Sequence, residues 1–408
     1  MRKVLVIGEA IVRNDNSDLV SGGGIRSTVF LSKVSKYFDK VYYVPSILGN
    51  LKRVPRFREC YIEDIYRFSA ANDLEIPFDL YSILNLNYKY FFDIRLIQYI
   101  KSKLNDNYDL IYVTSEAPTD LNLAIQIKSR LRGFIIHGSW INDRYLDEIK
   151  YILDTHSCVN PLYSVNKLSE KLLLNVLFRK IFSSNKLHFA IYINTNSLTK
   201  YSLFKYNIIT KRLFPGIAIN FNENYNISRN KEGIISISTA FTPFKGLCRL
   251  VKFLKILGQN NDEIKLTLIG ELPRLAQKQI FNVIKNNNKM KIKTLGKLSH
   301  EEVLKNLRSS KLNINFSFTE TYSFVNLESI ANYTPVISFY NGTEEIYKNI
   351  KPVIFVHNEQ ELFRTIKVYY DKDLDYLFDE TVKDFLKKHS NWDEIIQNEI
   401  KIIKSFFP

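Results

Sequence analysis

The sequence predicts an α/β protein built from two Rossmann-like domains, each a parallel sheet flanked by helices. Three observations carry this expectation. An apolar strand at 4–7, the glycine run Gly22, Gly23 and Gly24, a helical pattern over 25–38 and a strand at 41–44 form a β–loop–α–β unit. From 234 to 339 the alternation recurs: strands at 234–238, 266–270, 292–296, 312–316 and 336–339, with helical patterns after the first, third and fourth. Between the halves, residues 220–232 are polar, asparagine-rich and without periodicity, as a linker is.

A length of 408 residues suits about two domains with their own cores. Apolar residues make up 45% and charged residues 24%, the balance of an ordinary globular chain. No apolar run approaches the ~20 residues of a membrane span. Residues 2–8 are too short for a signal peptide and read as the first strand. Cys60, Cys158 and Cys248 are scattered without metal-ligand spacing, as are the six histidines, so the expectation is no metal. The odd cysteine count and the missing signal point to a reducing cytoplasm. A net charge of +15 calls for a polyanionic partner. The basic residues are spread along the chain and accompany no nucleic-acid motif, which favours a nucleotide and an anionic membrane surface over nucleic acid.

Taken in order, residues 51–100 are basic and aromatic with no motif. A strand at 108–114 leads to a helix over 120–131 and a strand at 134–138 that ends in His137 and Gly138. The C-terminal ends of strands are where open α/β sheets bind ligands, so His137 is either a site residue or a structural turn residue. The stretch 161–187 is helical, apolar and basic, and fits both a cover helix with a solvated face and an interfacial helix on anionic lipid. A strand at 189–194 and a short helix at 197–205 follow. In the second half, Ser299 and Glu302 form a capping box that starts a helix at His300. Apolar positions from Trp392 to Phe406 recur at helical spacing and predict a terminal helix.

The most informative stretch is 315–343. A strand runs out into a polar loop carrying Glu320, a helix carries Glu328, and Pro335 forces the exit into the next strand. The free amides at a helix start suit a phosphate near Ser323, Phe324 and Val325. Eight helical residues rise about 12 Å, too far for an acid pair of the glycosidase kind at roughly 5–9.5 Å. The spacing suits contacts to both ends of a nucleotide sugar. This stretch resembles the donor-site motif of retaining GT-B glycosyltransferases, the glycosyl transferases group 1 family, whose usual form is E-G-F-G-x-x-x-x-E-A-x-A-x-G-x-P-V. Both carboxylates and the Pro335-Val336 pair match, whereas Thr321, Ser323 and Tyr333 replace glycines. Lys245-Gly246 resembles the family's G-R-x-x-x-x-K-G with Ala240 at the arginine position, for which Arg249 or Arg274 would have to substitute. The run 212–217 resembles the crossing between domains, and Glu344 and Glu345 after Gly342 resemble G-G-x-x-E.

The resemblance implies the GT-B arrangement, two Rossmann-like domains facing across a cleft. The domains would be an acceptor-side domain at 1–214, a nucleotide-sugar domain at 215–388 and a terminal helix at 389–408 crossing back. It implies transfer of a sugar, with retention and without metal or other cofactor, from a nucleotide-sugar donor to a glycan or lipid-linked acceptor in surface polysaccharide or lipopolysaccharide assembly. Glu320, Lys245 and His137 would be catalytic. Glu328 would hold the ribose, with Ser323, Phe324, Val325, Gly270 and Thr239 around the donor. The Gly22, Gly23 and Gly24 loop would lie on the acceptor side. The location implied is cytoplasmic, at the inner face of the membrane. A sugar-nucleotide epimerase of the same fold and a non-catalytic descendant stay open, because the arginine and the motif glycines are missing.

Overall fold

Two six-stranded parallel sheets organise the chain. The structure is a computed structural model that describes residues 3–8, 22–45, 104, 107–138, 145–158, 161–219, 221, 231–260, 263–287 and 289–407. It divides into two units: Met1–Ile149, Val165–Gly216 and Trp392–Pro408 form the first, and Lys150–Ser164 with Ile217–Asn391 form the second. The readings made over 9–21 and 51–100, and most of the linker at 220–232, fall outside the described residues.

In the first unit the strands are β1 (Lys3–Gly8), β2 (Lys40–Pro45), β3 (Tyr108–Val113), β4 (Ser129–Ile136), β5 (Phe189–Tyr192) and β6 (Ile209–Arg212), in the order β2-β1-β3-β4-β5-β6. The order reverses between β1 and β3, the switch point at which doubly wound sheets place ligands. Helices α1 (Gly22–Val34), α2 (Pro118–Gln126), α3 (Tyr145–Thr155), α4 (Pro161–Phe182) and α5 (Thr195–Tyr201) connect them, the division between units falling inside α3 and α4. The core gathers Leu5, Ile7, Ile111, Val113, Leu121, Phe134, Phe178 and Phe182.

The structure departs from expectation in three places here. Gly22, Gly23 and Gly24 are not a loop: they are the first three residues of α1, whose first-turn amides lie outside the helix's own ladder. The helix expected over 120–131 stops at Gln126, because Ser129 already pairs with Tyr108 in β4. Arg132 closes the end of α2, its guanidinium donating to the carbonyls of Ala124 at 3.0 Å and Ile127 at 2.6 Å. The edge strand β6 was not expected at all, since Ile209, Lys211 and Arg212 are exposed and show no apolar alternation.

The second unit holds β7 (Ile234–Ala240), β8 (Lys265–Glu271), β9 (Lys291–Gly296), β10 (Leu312–Asn315), β11 (Val336–Phe339) and β12 (Val353–Val356), in the order β12-β11-β10-β7-β8-β9. Here the reversal falls between β7 and β10, which pair through Leu312 with Ile234 and Asn313 with Ile235. The helices are α6 (Leu247–Gln259), α7 (Arg274–Asn286), α8 (His300–Ser309), α9 (Phe324–Ala331), α10 (Glu344–Tyr347), α11 (Glu359–Tyr369) and α12 (Glu380–Lys388). The capping box stands as expected, Ser299 and Glu302 each accepting from the other's backbone amide. The last helix, α13 (Trp392–Lys404), groups with the first unit and buries Ile395, Ile396, Glu399, Ile400 and Ile403.

Cys158 and Cys248 form a disulfide within the second unit, their Cα atoms 5.2 Å apart. The cysteine count therefore gives no argument for a reducing compartment. Ninety residues separate the two in sequence, and it is the return of 150–164 onto the start of α6 that brings them together. No described helix is long and apolar enough to cross a membrane.

Candidate active site

Switch-point topology explains why Lys245 and Glu320 meet. Lys245 follows β7 and Glu320 follows β10, the two strands flanking the reversal, so both loops leave the same end of the second sheet. Lys245 Nζ lies 2.6 Å from Glu320 Oε1. The lysine side chain is 42% exposed and the carboxylate 16%, so the pair is wet on its cationic side and supported on its anionic side. Gly246 fixes the lysine's backbone: its φ is +83°, and a Cβ there would come within 2.0 Å of the Phe316 carbonyl. That carbonyl follows β10 directly, so the two loops touch through a glycine.

Below Glu320 lies a shell of amides. Glu320 N–H donates to the Asn341 carbonyl at 2.8 Å. Glu344 accepts from the amides of Asn341 at 2.6 Å and Gly342 at 3.0 Å, which ties α10 to the same turn. Asn315, buried at the end of β10, donates to Ser323 Oγ at 3.2 Å and to Asn326 Oδ1 at 2.9 Å, and accepts from Ser317 N–H at 3.0 Å. Ser323 caps α9 by accepting from Asn326 N–H at 3.2 Å. Phe324 and Val325 form the first turn of that helix, half-buried, with the partial positive charge of its N-terminus. Asn315 carried no sequence signal beyond its place in a strand where asparagine alternates with apolar residues, and Asn326 none beyond a helix position.

The replaced glycines left their backbone shape behind. Ser323 has φ +60° and Tyr333 φ +57°, a region costing of order 1–3 kcal/mol for a residue with a Cβ. Tyr333 packs against Phe378 with ring centroids 5.3 Å apart and the planes tilted by 52°, and this packing holds the conformation. Tyr347 Oη donates to the carbonyls of Tyr322 at 2.8 Å and Ser323 at 3.3 Å. Tyr322 Oη in turn meets His389 Nε2 at 2.6 Å, and His389 Nδ1 meets the Phe385 carbonyl at 2.7 Å. A carbonyl only accepts, so His389 carries its proton on Nδ1; burial holds its pKa at about 4.

Of the remaining donor-side residues, Glu328 sits on α9 with His300 Nε2 2.7 Å from its Oε1. That hydrogen bond raises the His300 pKa above the ordinary histidine range, so the contact is an ion pair whenever the ring is protonated. Thr239 is exposed near the end of β7. Gly270, near the end of β8, has φ +123°, and a Cβ would lie 1.7 Å from the Ser238 carbonyl. It therefore serves close strand approach. Arg249 does not replace the missing arginine: its Nη1 donates to the Ser317 carbonyl at 2.7 Å, and its guanidinium lies over the rings of Phe318 and Phe339. Burial lowers its pKa to about 10.

His137 lies in the first unit, just beyond β4. Its backbone N–H donates to Glu116 Oε2 at 2.8 Å, and its Nε2 lies 3.3 Å from Arg26 Nη1. Burial, and then Arg26, push its pKa well below the ordinary value. Among the described residues there is no cluster of three or more histidine, cysteine or carboxylate side chains placed to hold a metal.

Known proteins agree with this arrangement. Residues 220–375, all within the second unit, match the family model "Glycosyl transferases group 1". Full-length structural likeness extends to sucrose-phosphate synthase from Thermosynechococcus elongatus, at 13% identity and TM-score 0.63 over 100% of this chain and 99% of that one. Trehalose-6-phosphate synthase OtsA gives 11% and 0.66, with all of both chains covered. Anabaena HepE in complex with UDP and glucose gives 13% and 0.62, again over both chains entirely. No curated protein matches by sequence. Two doubly wound units of this kind are the GT-B fold. The chain has the GT-B fold, and its residues 220–375 match the glycosyl transferases group 1 model.

Proposed function

We propose that this chain moves a sugar from a nucleotide-sugar donor to a hydroxyl of a glycan or lipid-linked acceptor, with retention of configuration and without a metal or other cofactor. The observation that supports it best is the Lys245–Glu320 pair, set beside the Ser323-capped start of α9 at the switch point of the second sheet. In the reaction the bond from the anomeric carbon to the diphosphate breaks and a bond to the acceptor oxygen forms. The nucleoside diphosphate leaves with the electron pair, and the acceptor's proton passes to it or to water. Negative charge thus grows on the diphosphate, and Lys245 with the α9 amides meets it. Stabilisation of this preorganised kind is usually the largest catalytic term. Glu320, released from Lys245 as the diphosphate arrives, holds the donor sugar; Glu328 holds the ribose.

The experiment begins with thermal unfolding against a panel of nucleoside diphosphates and nucleotide sugars, UDP forms first, because ligands of the folded state raise its stability by mass action. Release of nucleoside diphosphate only when an acceptor is added distinguishes transfer from epimerisation or simple binding. Against the donor so found, Glu320→Gln is expected to lower mainly kcat, since contacts to the sugar strengthen as positive charge develops on its ring. Glu328→Gln is expected to raise mainly KM, since a ribose contact serves ground and transition states alike. Wild-type values in both variants would remove this assignment.

We further propose that the protein works peripherally on the inner face of an anionic membrane, in surface polysaccharide or lipopolysaccharide assembly. Support comes from α4, where Val165 and Val176 are about 60% exposed on a helix that also carries Lys167, Lys171, Arg179 and Lys180. Vesicles containing anionic lipid should bind the protein at low salt and release it as salt rises. Absence of binding, or binding to neutral vesicles that ignores salt, returns α4 to a cover helix.

A further inference from the structure

The first unit contains a buried ion pair that the transfer chemistry above does not use. Arg26, on α1, donates from Nη2 to Glu399 Oε2 at 2.5 Å and from Nη1 to Oε1 at 3.3 Å. Their side chains are 1% and 0% exposed. Tyr112 Oη, on β3, donates to Glu399 Oε1 at 2.5 Å, and Arg26 Nε donates to the Gly216 carbonyl at 3.0 Å. A pair so buried adds little net stability, since apolar side chains of similar volume would serve as well. What it does add is geometry. The guanidinium is pinned on three sides, and Nη1 is left 3.3 Å from His137 Nε2.

That contact has one chemically allowed sense. A guanidinium carries only donors, so Nε2 of His137 accepts, and the single proton of the neutral ring must sit on Nδ1. The backbone that carries the ring is held as well, the His137 amide N–H donating to Glu116 Oε2. A Cβ on Gly138 would fall 2.7 Å from Glu116 Oε1, so the next position must also be glycine for Glu116 to stay there.

We propose that Arg26 is a positioning residue that locks His137 in the Nδ1–H tautomer, with Glu399 of the terminal helix as its fixed counter-ion. In this role His137 donates a hydrogen bond to a substrate oxygen and takes no proton through Nε2. The role toward substrate rests on the transferase reading, in which the family resemblance makes His137 catalytic; the tautomer does not.

The test is a long-range proton–nitrogen NMR correlation on the uniformly ¹⁵N-labelled full chain, with the His137 ring signals assigned by their loss in His137→Gln. The wild type is expected to show one tautomer, protonated at Nδ1 and bare at Nε2. The double variant Arg26→Met/Glu399→Leu removes donor and counter-ion together, so that no charge is left buried alone. In it, Nε2 protonation should appear, with kcat down about tenfold, the worth of roughly one hydrogen bond, and donor KM within about twofold. A wild-type ring protonated at Nε2 or exchanging between tautomers overturns the proposal, and so does a double variant that keeps the pure Nδ1–H form. Because the wild-type spectrum alone decides the tautomer, loss of the transferase reading and loss of this proposal are told apart.

Discussion

Lys245→Ala is expected to lower kcat by about 10²–10³-fold, the effect typical of removing one preorganised donor from developing negative charge. It should also weaken a nucleoside diphosphate by about 10–100-fold while leaving the matching nucleoside nearly unchanged, as a charge-assisted phosphate contact is worth about 1.5–3 kcal/mol. The expectation is large because Lys245 matches one of the motif's two cations and the arginine position holds none. Ala240 occupies the arginine position, and Arg249 is committed to the Ser317 carbonyl and two phenylalanine rings. The variant also leaves Glu320 without its partner at 2.6 Å, although that carboxylate keeps its loop through the bond of its amide to Asn341. Affinity measured for UDP and uridine, or for GDP and guanosine, checks the assignment. Equal losses for diphosphate and nucleoside would show that Lys245 faces no phosphate.

How much of this site was readable in the sequence depends on the distance over which each residue acts. Lys245, Glu320 and Glu328 sit in short motifs between a strand and a helix, so local pattern found them one by one. That Lys245 and Glu320 touch follows from the strand order β10-β7, which no local pattern specifies. Arg249 was open as a substitute cation because helix periodicity says nothing about whether a long side chain turns to solvent or to an aromatic wall. The elements followed the same rule. Strands with apolar runs, such as β3 and β8, were plain, whereas β6, exposed and basic, was invisible. Gly22, Gly23 and Gly24 read as a loop in the sequence because glycine is a poor helix former, a penalty that matters less in a first turn.

Arg26 and Glu399 were missed for a different reason, and a signal for one of them was present. Glu399 shares the helical stripe of Ile395, Ile396, Ile400 and Ile403, a carboxylate set among core positions. A charge there implies a buried partner, although nothing in the sequence says which. Glu399→Ala is accordingly expected to destabilise the first unit by about 3–5 kcal/mol, because it leaves the Arg26 guanidinium buried and uncompensated. Tyr112 Oη loses its acceptor in the same step. The Arg26→Met/Glu399→Leu double variant should lose far less, so the two sites are strongly coupled. Urea unfolding followed by a probe in the first unit measures both, with the midpoint shifting and the slope unchanged. A Glu399→Ala midpoint indistinguishable from wild type would mean that the guanidinium is reached by water.

The terminal helix has a consequence for how the protein is made. The first unit is complete only when Trp392–Pro408 joins it, since Phe406 stacks on Phe189 at 4.1 Å and Glu399 neutralises Arg26. A ribosome delivers those two charges 373 residues apart, an interval of roughly 20–75 s at ordinary elongation rates. Throughout that interval the nascent guanidinium lacks its native partner, the Glu399 carboxylate. The second unit, continuous from Ile217 to Asn391 once Lys150–Ser164 is in place, has its whole sheet available before then. The half of the molecule translated first is the half that finishes last.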